Sequence, residues 1–196
     1  MLDYLLNLDR DLLVYLNGLG SKSWDPFFLY ITKQLNWWPY FLMLVYLLWK
    51  KISPKQFLLL VVVLSLFFVF TDQMTNLVKN SVQRYRPIND PEIKDVIRFV
   101  KASSSWSFFS GHASNSSGAT LILFLVLRKY YKYAFLIFFF PLIFAYTRIY
   151  LGLHFPGDIL TGYAFGLTAG FLFYKLFCLL NKKYQLSDRQ NAITFN

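Results

Sequence analysis

Two histidines and a carboxylate stand where apolar segments of the chain begin, and their spacing suits nucleophilic chemistry on a phosphate group. His154 and Asp158 lie four residues apart in T-R-I-Y-L-G-L-H-F-P-G-D, at the start of a long apolar segment. If a helix begins near residues 155–158, Asp158 can accept a hydrogen bond from one imidazole nitrogen and leave the other nitrogen free to attack. His112, the other histidine of the chain, opens a second apolar segment and could serve as a general acid.

Cations and helix ends near these residues favour an anionic substrate. Arg148, six residues before His154, can clamp phosphate oxygens with its guanidinium. Ser110 and Gly111 precede His112, so a helix N-terminus there would offer unpaired amides and a hydroxyl to an anion. Polar residues at spacings of four, three, four and three predict one wet face on a helix that Pro87 ends: Asp72, Asn76, Lys79, Gln83 and Arg86.

Each of these groups also has a plainer explanation. Ser110 could simply cap a helix, and Lys79 and Arg86 could reach lipid headgroups. The His154–Asp158 pair could likewise cap a helix. All three groups fall on one predicted membrane face, however, and this coincidence favours a phosphate site.

The composition indicates an integral membrane protein. Of 196 residues, 56% are hydrophobic and 15% are charged, against about 25% charged residues in soluble domains. The net charge of +10 does not indicate nucleic-acid binding, because Lys and Arg bracket membrane boundaries at 50–55, 128–132 and 175–189. The acidic N-terminus argues against a cleaved signal peptide, and a single cysteine, Cys178, leaves no disulfide within the chain.

The hydrophobic pattern predicts an all-α bundle of five transmembrane helices behind an N-terminal segment. Leucines at helical spacing in 2–19 predict an amphipathic helix at the membrane interface, and Asp25 before Pro26 predicts a second helix with Asp25 as its cap. The spans are predicted at 36–50, 56–80, 112–128, 133–150 and 158–180, with the first extending back into 26–35. A sixth span within the first 35 residues is the alternative. The predicted domains are therefore an interfacial segment at 1–35, a transmembrane domain at 36–183 and a polar tail at 184–196.

The positions of the charges predict how the chain is oriented in the membrane, and the spacing of the glycines predicts where two helices pack closely. The short basic loops at 51–55 and 129–132 predict a cytoplasmic side, which places the reactive face outside. Gly162, Gly166 and Gly170 recur at every fourth position and predict close packing of the last span against another helix. Small residues around Gly118 predict the same for the third span.

Three motifs follow one another between about residues 70 and 180: Lys79-x6-Arg86-Pro87, Ser110-Gly111-His112 and Arg148-x5-His154-x3-Asp158. Their order and spacing resemble the signature of the type-2 phosphatidic acid phosphatase superfamily, membrane lipid phosphatases related to vanadium haloperoxidases. Phe109 stands where the second motif usually has proline, which bears on loop rigidity. Thr147 stands where the third usually has serine, and it keeps the hydroxyl.

The resemblance implies a phosphoric ester or diphosphate hydrolase that needs no metal and no cofactor. His154 would be the nucleophile that forms a phosphohistidine, Asp158 would orient it, and His112 would protonate the leaving group. Five residues would bind the phosphate: Lys79, Arg86, Ser110, Gly111 and Arg148. The partners would be a lipid phosphate and water, and the location a bacterial inner membrane, with several passes and an active site that faces the periplasm.

The substrate and the phosphoryl acceptor stay open. Undecaprenyl diphosphate, phosphatidylglycerophosphate, phosphatidic acid and lipid A phosphates are all handled by similar enzymes, and the mixed charges of the 88–109 loop do not decode the headgroup. A lipid phosphotransferase would pass the phosphoryl group from His154 to another lipid. A non-catalytic headgroup-binding or transport protein would need the cations but not the His154–Asp158 pair. The oligomeric state is equally open.

Overall fold

A computed structural model describes residues 2–186. Seven α-helices run through this part of the chain: α1 (Leu2–Gly18), α2 (Asp25–Ile31), α3 (Trp38–Trp49), α4 (Pro54–Val82), α5 (Gly111–Leu127), α6 (Phe139–Tyr150) and α7 (Pro156–Lys183). Short 3-10 helices occupy Gln34–Trp37, Pro87–Asn89 and Ala134–Phe138. The described residues contain no β-strand, so the predicted all-α class is confirmed. Of the predicted polar tail, residues 187–196 lie outside the described residues.

Helix α1 is amphipathic, as its leucine spacing predicts. One face is buried on the bundle through Leu13 and Asn17, which are both 0% exposed. The side-chain amide of Asn17 donates to the carbonyl oxygen of Tyr150 at 2.8 Å, and its oxygen accepts from the backbone N–H of Arg98 at 2.7 Å. The other face carries exposed apolar side chains: Tyr4, Leu5, Leu8, Leu12 and Tyr15. The helix is thus anchored beside the end of α6, and its location at a membrane interface stays a prediction.

Helix α2 does not begin as predicted. Asp25 is its first residue rather than its cap, and the N-cap is Trp24. The Asp25 carboxylate instead accepts hydrogen bonds from the guanidinium of Arg98 at 2.7 Å and from the hydroxyl of Tyr150 at 2.8 Å. The capping prediction was wrong because these distant partners occupy the carboxylate.

The predicted backward extension of the first span is interrupted. Helix α2 ends at Ile31, and the backbone of Lys33 is extended before the next 3-10 turn. Two side chains bind carbonyl oxygens at the C-terminal end of α2: the amide of Asn36 donates to Tyr30, and the indole of Trp37 donates to Ile31. These bonds turn the chain, so residues 25–49 form separate helical pieces rather than one helix.

Helix α4 ends before the arginine of the first motif. It stops at Val82, and Gln83 caps it in the left-handed region at φ 51°. The chain is then extended at Arg86, so the prediction that Pro87 ends the helix was wrong. Lys79 and Arg86 therefore approach the site from different elements, the first from the last turn of α4 and the second from the following loop.

Two described segments are long and apolar enough to cross a membrane by length and composition, Pro54–Asn89 and α7. In each segment, only 22% of an apolar 18-residue stretch is buried inside the protein. Their outward residues are large and apolar, as in Leu58, Val62 and Leu66 of α4 and Leu160 and Leu172 of α7. This distribution suits a lipid environment, because a soluble protein rarely exposes contiguous apolar faces of this extent. The predicted total of five spans stays a prediction.

The backbones of α5 and α7 lie in direct contact along the glycine series. A Cβ atom added at Gly166 would lie 2.2 Å from the carbonyl oxygen of Ser114. At Gly170 the same atom would lie 2.6 Å from the carbonyl oxygen of Gly118. The predicted packing seam is therefore confirmed, and it fixes the helix that begins at Gly111 against the helix that carries Asp158.

Candidate active site

His154 lies in the short turn between α6 and α7 and is 1% exposed. The carbonyl oxygen of Arg148 accepts from the backbone N–H groups of Leu153 at 2.9 Å and His154 at 3.3 Å. Gly152 allows this tight turn because its φ of +66° is strained for residues with a side chain. The turn thus fixes the backbone of His154 directly beneath the last turn of α6.

Asp158 lies in the first turn of α7 and is fully buried. Its Oδ2 accepts from the backbone N–H of Phe155 at 3.0 Å and from the hydroxyl of Ser107. Its Oδ1 accepts from a guanidinium nitrogen of Arg84 at 2.8 Å. The Nδ1 atom of His154 lies 3.4 Å from Oδ2, so the predicted pairing of the imidazole with this carboxylate is present.

The contacts of the His154 ring assign its tautomer. Nε2 lies 3.2 Å from Nη1 of Arg86, and a guanidinium can only donate, so Nε2 is the acceptor. Nδ1 then carries the proton, which faces Asp158 and the Ser107 hydroxyl. Burial lowers the pKa of His154 well below its ordinary value, and the charges of Arg86, Arg148 and Lys79 lower it further. The ring is therefore neutral near pH 7, with its lone pair directed at a cation.

Arg86 is held by backbone and side-chain acceptors from two segments. Its Nε donates to the carbonyl oxygen of Ser105 at 2.8 Å, and Nη2 donates to the hydroxyl of the same serine at 2.8 Å. Nη1 donates to the carbonyl oxygen of Leu153 at 2.7 Å. The guanidinium is thus fixed beside Nε2 of His154 by the loop before α5 and the turn before α7.

Arg148 is buried in the same region, and only some of its hydrogen-bond donors have partners. Its Nη1 donates to the hydroxyl of Thr32 at 2.8 Å. Its Nε is buried and has no hydrogen-bond partner within residues 2–186. Because a buried unpaired donor is costly, this nitrogen fits an anion that arrives with the substrate.

His112 and Lys79 line a cavity of about 230 Å³ among α3, α4, α5 and α6. The polar end includes Thr75, Gly111 and Asn115, and the rest of the wall is mainly aromatic and aliphatic: Tyr40, Phe41, Leu44, Phe68, Phe140 and Phe144. His154 and Arg86 do not line this cavity. Because Nε2 already accepts from Arg86, any group that bonds to this nitrogen has to displace that contact. The cavity has the polarity expected for a lipid that carries a charged headgroup.

The structure brings the predicted reactive residues together. Lys79, Arg86, Arg148 and His154 all lie close enough to His112 to act on its charge. Ser110 is fully buried, and its hydroxyl accepts from the backbone N–H of Ala113 at 3.4 Å, which is a capping contact. Its own N–H donates to the carbonyl oxygen of Asp158 at 3.1 Å and ties the start of α5 to the start of α7. A phosphate contact from Ser110 or Gly111 stays a prediction.

Sequence reasoning missed four residues of this site. Arg84 and Ser107 bind Asp158, Ser105 holds Arg86, and Thr32 holds Arg148. The serines belong to the run S-S-S-W-S at 103–107, which has no helical or strand period. Thr32 is 116 positions from its partner. Only Arg84 gave a signal, since it stands two residues before Arg86 at the predicted end of the helix.

The family assignment follows from the comparison with known proteins, in which the sequence model of the PAP2 superfamily matches residues 55–181. The chain belongs to the PAP2 superfamily. This confirms the resemblance of the three motifs and the prediction of a phosphatase. The PAP2 chain is thus a membrane lipid phosphatase, and the alternative of a non-catalytic headgroup-binding or transport protein is set aside.

Two bacterial relatives of the PAP2 chain are lipid A 4'-phosphatases. The protein of Bacteroides thetaiotaomicron is 36% identical over 179 residues, which cover 89% of this chain and 79% of the relative. The protein of Porphyromonas gingivalis is 28% identical over 186 residues, which cover 93% of this chain and 78% of the relative.

Two crystal structures share the fold. The PAP2 type phosphatidylglycerolphosphate phosphatase of Bacillus subtilis has a TM-score of 0.66 at 20% identity, covering 88% of this chain and 86% of that chain. LpxE of Aquifex aeolicus has a TM-score of 0.57 at 20% identity, covering 84% and 93%. These structures support the membrane-phosphatase architecture of the PAP2 chain.

Proposed function

We propose that this protein hydrolyses the 4'-phosphate of lipid A through a phosphohistidine on His154. The two lipid A 4'-phosphatases that the chain resembles support the substrate. The observation that carries the mechanism is the arrangement around one imidazole ring. Its Nδ1 faces the buried Asp158 carboxylate, and its Nε2 accepts from Arg86. A phosphate drawn to the cations meets the lone pair of a neutral, oriented nucleophile.

In the first step, Nε2 of His154 attacks phosphorus and the bond between phosphorus and the sugar oxygen breaks. His112 gives a proton to that oxygen as it leaves. Asp158 stabilises the positive charge that develops on the imidazole of His154. Lys79, Arg86 and Arg148 stabilise the charge on the phosphoryl oxygens in the transition state. Contacts from Ser110 and the amide of Gly111 would add to this stabilisation.

In the second step, water attacks the phosphohistidine. His112, now without its proton, accepts one from the water, and the bond between Nε2 and phosphorus breaks. Inorganic phosphate leaves, and both histidines return to their starting states. Every step uses side chains of this chain, so no metal or cofactor takes part in the scheme.

The proposed location is a bacterial inner membrane, with the site at its periplasmic face. The basic loops at 51–55 and 129–132 support this orientation, since cytoplasmic loops are enriched in Lys and Arg. The apolar wall of the cavity would hold part of the lipid, while its headgroup reaches the ends of α4 and α5.

Lipid A with both its phosphates tests the substrate. We expect the purified protein in detergent to remove the 4'-phosphate and leave the 1-phosphate, as followed by the two ³¹P resonances. Phosphatidylglycerophosphate, phosphatidic acid and undecaprenyl diphosphate serve as comparison lipids. Release from one of these, with lipid A unchanged, would contradict the proposed substrate.

The His154→Ala variant tests the nucleophile. We expect it to fold, as judged by an unchanged elution profile and circular dichroism, and to release no phosphate. Wild-type rates from this variant would end the assignment. Quenching the wild-type reaction in alkali, where phosphohistidine survives, should give a phosphorylated peptide that contains His154.

Isotopic water identifies the acceptor. If water attacks the intermediate, the reaction in H₂¹⁸O yields phosphate that carries one ¹⁸O atom. A lipid phosphotransferase would instead produce a second phosphorylated lipid without labelled phosphate.

A further inference from the structure

Arg84 links the catalytic carboxylate to the N-terminal helix. Its Nη1 donates to Oδ1 of Asp158 at 2.8 Å, and its Nη2 donates to Oδ2 of Asp9 at 2.8 Å. The guanidinium carbon lies 3.8 Å from the centre of the Phe155 ring, over its face. Arg84 occupies one of the variable positions inside the first motif, Lys79-x6-Arg86-Pro87, yet it forms an ion pair with Asp158.

Asp9 holds this arrangement from α1. While Oδ2 binds Arg84, Oδ1 accepts from the backbone N–H of Gly157 at 2.7 Å, in the first turn of α7. A Cβ atom at position 157 would lie 2.8 Å from Oδ2 of Asp9, so glycine permits the approach. One carboxylate of α1 therefore binds both the arginine behind Asp158 and the turn that carries Asp158.

Burying the Asp158 carboxylate is costly unless each of its oxygens has partners, which restricts how the side chain can lie. Asp158 is 0% exposed, and a buried carboxylate is stable only when it is paired and hydrogen-bonded. Arg84 pairs with Oδ1, which leaves Oδ2 for Ser107, Phe155 and His154. The stacking on Phe155 and the second ion pair to Asp9 fix the arginine itself. The orientation of the His154 ring thus depends on contacts that begin in α1.

We propose that Arg84, held by Asp9 of α1, is a positioning residue of the hydrolysis, which acts on His154 through Asp158. This inference rests on the proposed phosphohistidine function. It assigns α1 a role in catalysis beyond the interfacial placement that its amphipathic pattern predicts.

The neighbouring residue on α1 provides a matched control. Arg10 forms ion pairs with Asp90 at 3.2 Å and with Glu92 at 2.7 Å, and it ties α1 to the loop before α5. This ion-pair group has no contact with Asp158. Arg10→Gln therefore weakens the docking of α1 without touching the Arg84 contacts, whereas Asp9→Asn and Arg84→Gln change them directly.

The test compares kcat and KM of the full-length variants with lipid A as substrate. We expect Arg84→Gln to lower kcat by about 100-fold and Asp9→Asn by about 10-fold, the range found for residues that orient a catalytic or ligand imidazole. KM should stay within about threefold, because neither residue binds the phosphate. Arg84→Lys should recover part of the rate through its charge, and Arg10→Gln should stay within about twofold of wild type.

A double variant separates positioning from general destabilisation. If Arg84 acts through Asp158, adding Arg84→Gln to Asp158→Asn lowers kcat no further. Losses that multiply in the double variant would overturn the proposal. So would an Arg10→Gln variant that is impaired as strongly as Asp9→Asn. If Arg84→Gln does not fold, Asp9→Asn and Arg84→Lys carry the comparison.

Orthovanadate binding tests the positioning role independently of which lipid is the substrate. Vanadate forms a bond to a nucleophilic imidazole, so its affinity reports the orientation of His154 without any lipid. We expect Arg84→Gln and Asp9→Asn to weaken vanadate binding by about 10-fold or more, and Arg10→Gln to leave it unchanged. A wild-type protein that binds vanadate but does not act on lipid A would refute the proposed substrate alone. Equal vanadate affinity in wild type and Arg84→Gln, or no vanadate binding by the wild type, would refute the positioning role.

Discussion

The two ring nitrogens of His154 meet opposite electrostatic environments. Nδ1 faces the Asp158 carboxylate and Nε2 faces the Arg86 guanidinium, so one ring lies between an anion and a cation. This division requires a neutral ring, which complete burial among cations favours. The roles proposed for the two histidines rest on this difference, since His112 has no carboxylate partner among the contacts described above.

Asp158→Asn tests the support of the nucleophile. The amide keeps the shape of the side chain but cannot stabilise the positive charge that develops on His154. We expect kcat to fall by about 10²- to 10⁴-fold, the range for carboxylates that orient catalytic imidazoles, with little change in KM. Measuring phosphate release against lipid A concentration gives both constants. A variant with the wild-type kcat would refute the orienting role.

The burial of His154 also predicts how stability depends on pH. In the unfolded chain the imidazole takes up a proton below pH about 6.5, whereas the folded protein holds it neutral because its pKa is lowered. The unfolded state therefore binds more protons as the pH falls, and the free energy of unfolding decreases. The decrease approaches about 1.4 kcal/mol per pH unit below 6.5.

Thermal midpoints in detergent at pH 7 and pH 5 measure this effect. The wild type should lose more stability between the two values than His154→Gln, which has no titrating group at that position. Equal losses in the two proteins would show that folding does not lower the pKa of His154.

Among the helices, α5 and α7 pack most closely, with their backbones in direct contact. The backbone oxygen of Ser114 occupies the space where residue 166 would carry a Cβ atom. Gly166→Ala must push the two helices apart, and overpacking of this kind costs about 1–3 kcal/mol. We expect a lower thermal midpoint and reduced turnover, since the seam also sets the distance between His112 and His154.

Gly18→Ala is the control for this prediction. Gly18 ends α1, and a Cβ atom there meets nothing within 4 Å. This variant should be at least as stable as wild type, because alanine favours helices more than glycine does. If Gly166→Ala were equally stable, the backbone contact of α5 and α7 would be wrong.

Local sequence pattern predicted the helices well and their junctions poorly. The positions of α4, α5 and α7 agree with apolar runs, and the glycine period predicted the seam. The end of α4 was misplaced because Pro87 is the strongest local stop signal, whereas Arg84 and Arg86 leave the helix to reach acceptors that are distant in sequence. Asp25 was misassigned for the same reason. Junctions depend on tertiary partners, which periodicity does not encode.

In the candidate site, too, some residues could be predicted from the sequence and others could not. The proximity of the candidate reactive residues was predictable because their chemical types stand in fixed order at helix ends. Residues that hold them were not, since Ser107, Thr32 and Asp9 are ordinary polar residues in segments without a diagnostic spacing. A hydroxyl or carboxylate gains its role from what the fold places beside it.

At the scale of the whole molecule, the first 35 residues contribute directly to the site. Asp9 binds Arg84, Thr32 binds Arg148, and Asn17 joins the end of α6 to the loop at Arg98. Residues on the two sides of the predicted boundary at residue 35 are thus joined by several buried or partly buried hydrogen bonds. We expect removal of α1 to impair catalysis even where the remaining helices insert correctly.

The contact between Asp9 and Gly157 also has a consequence for biogenesis. The two residues are 148 positions apart, so at about 5–20 residues per second the ribosome makes the second roughly 7–30 s after the first. During that interval α1 is already made, but the turn it binds does not yet exist. On the proposed mechanism, the nascent chain therefore becomes active only once the start of α7 has been made, and a polypeptide that stalls before that point has no hydrolase activity.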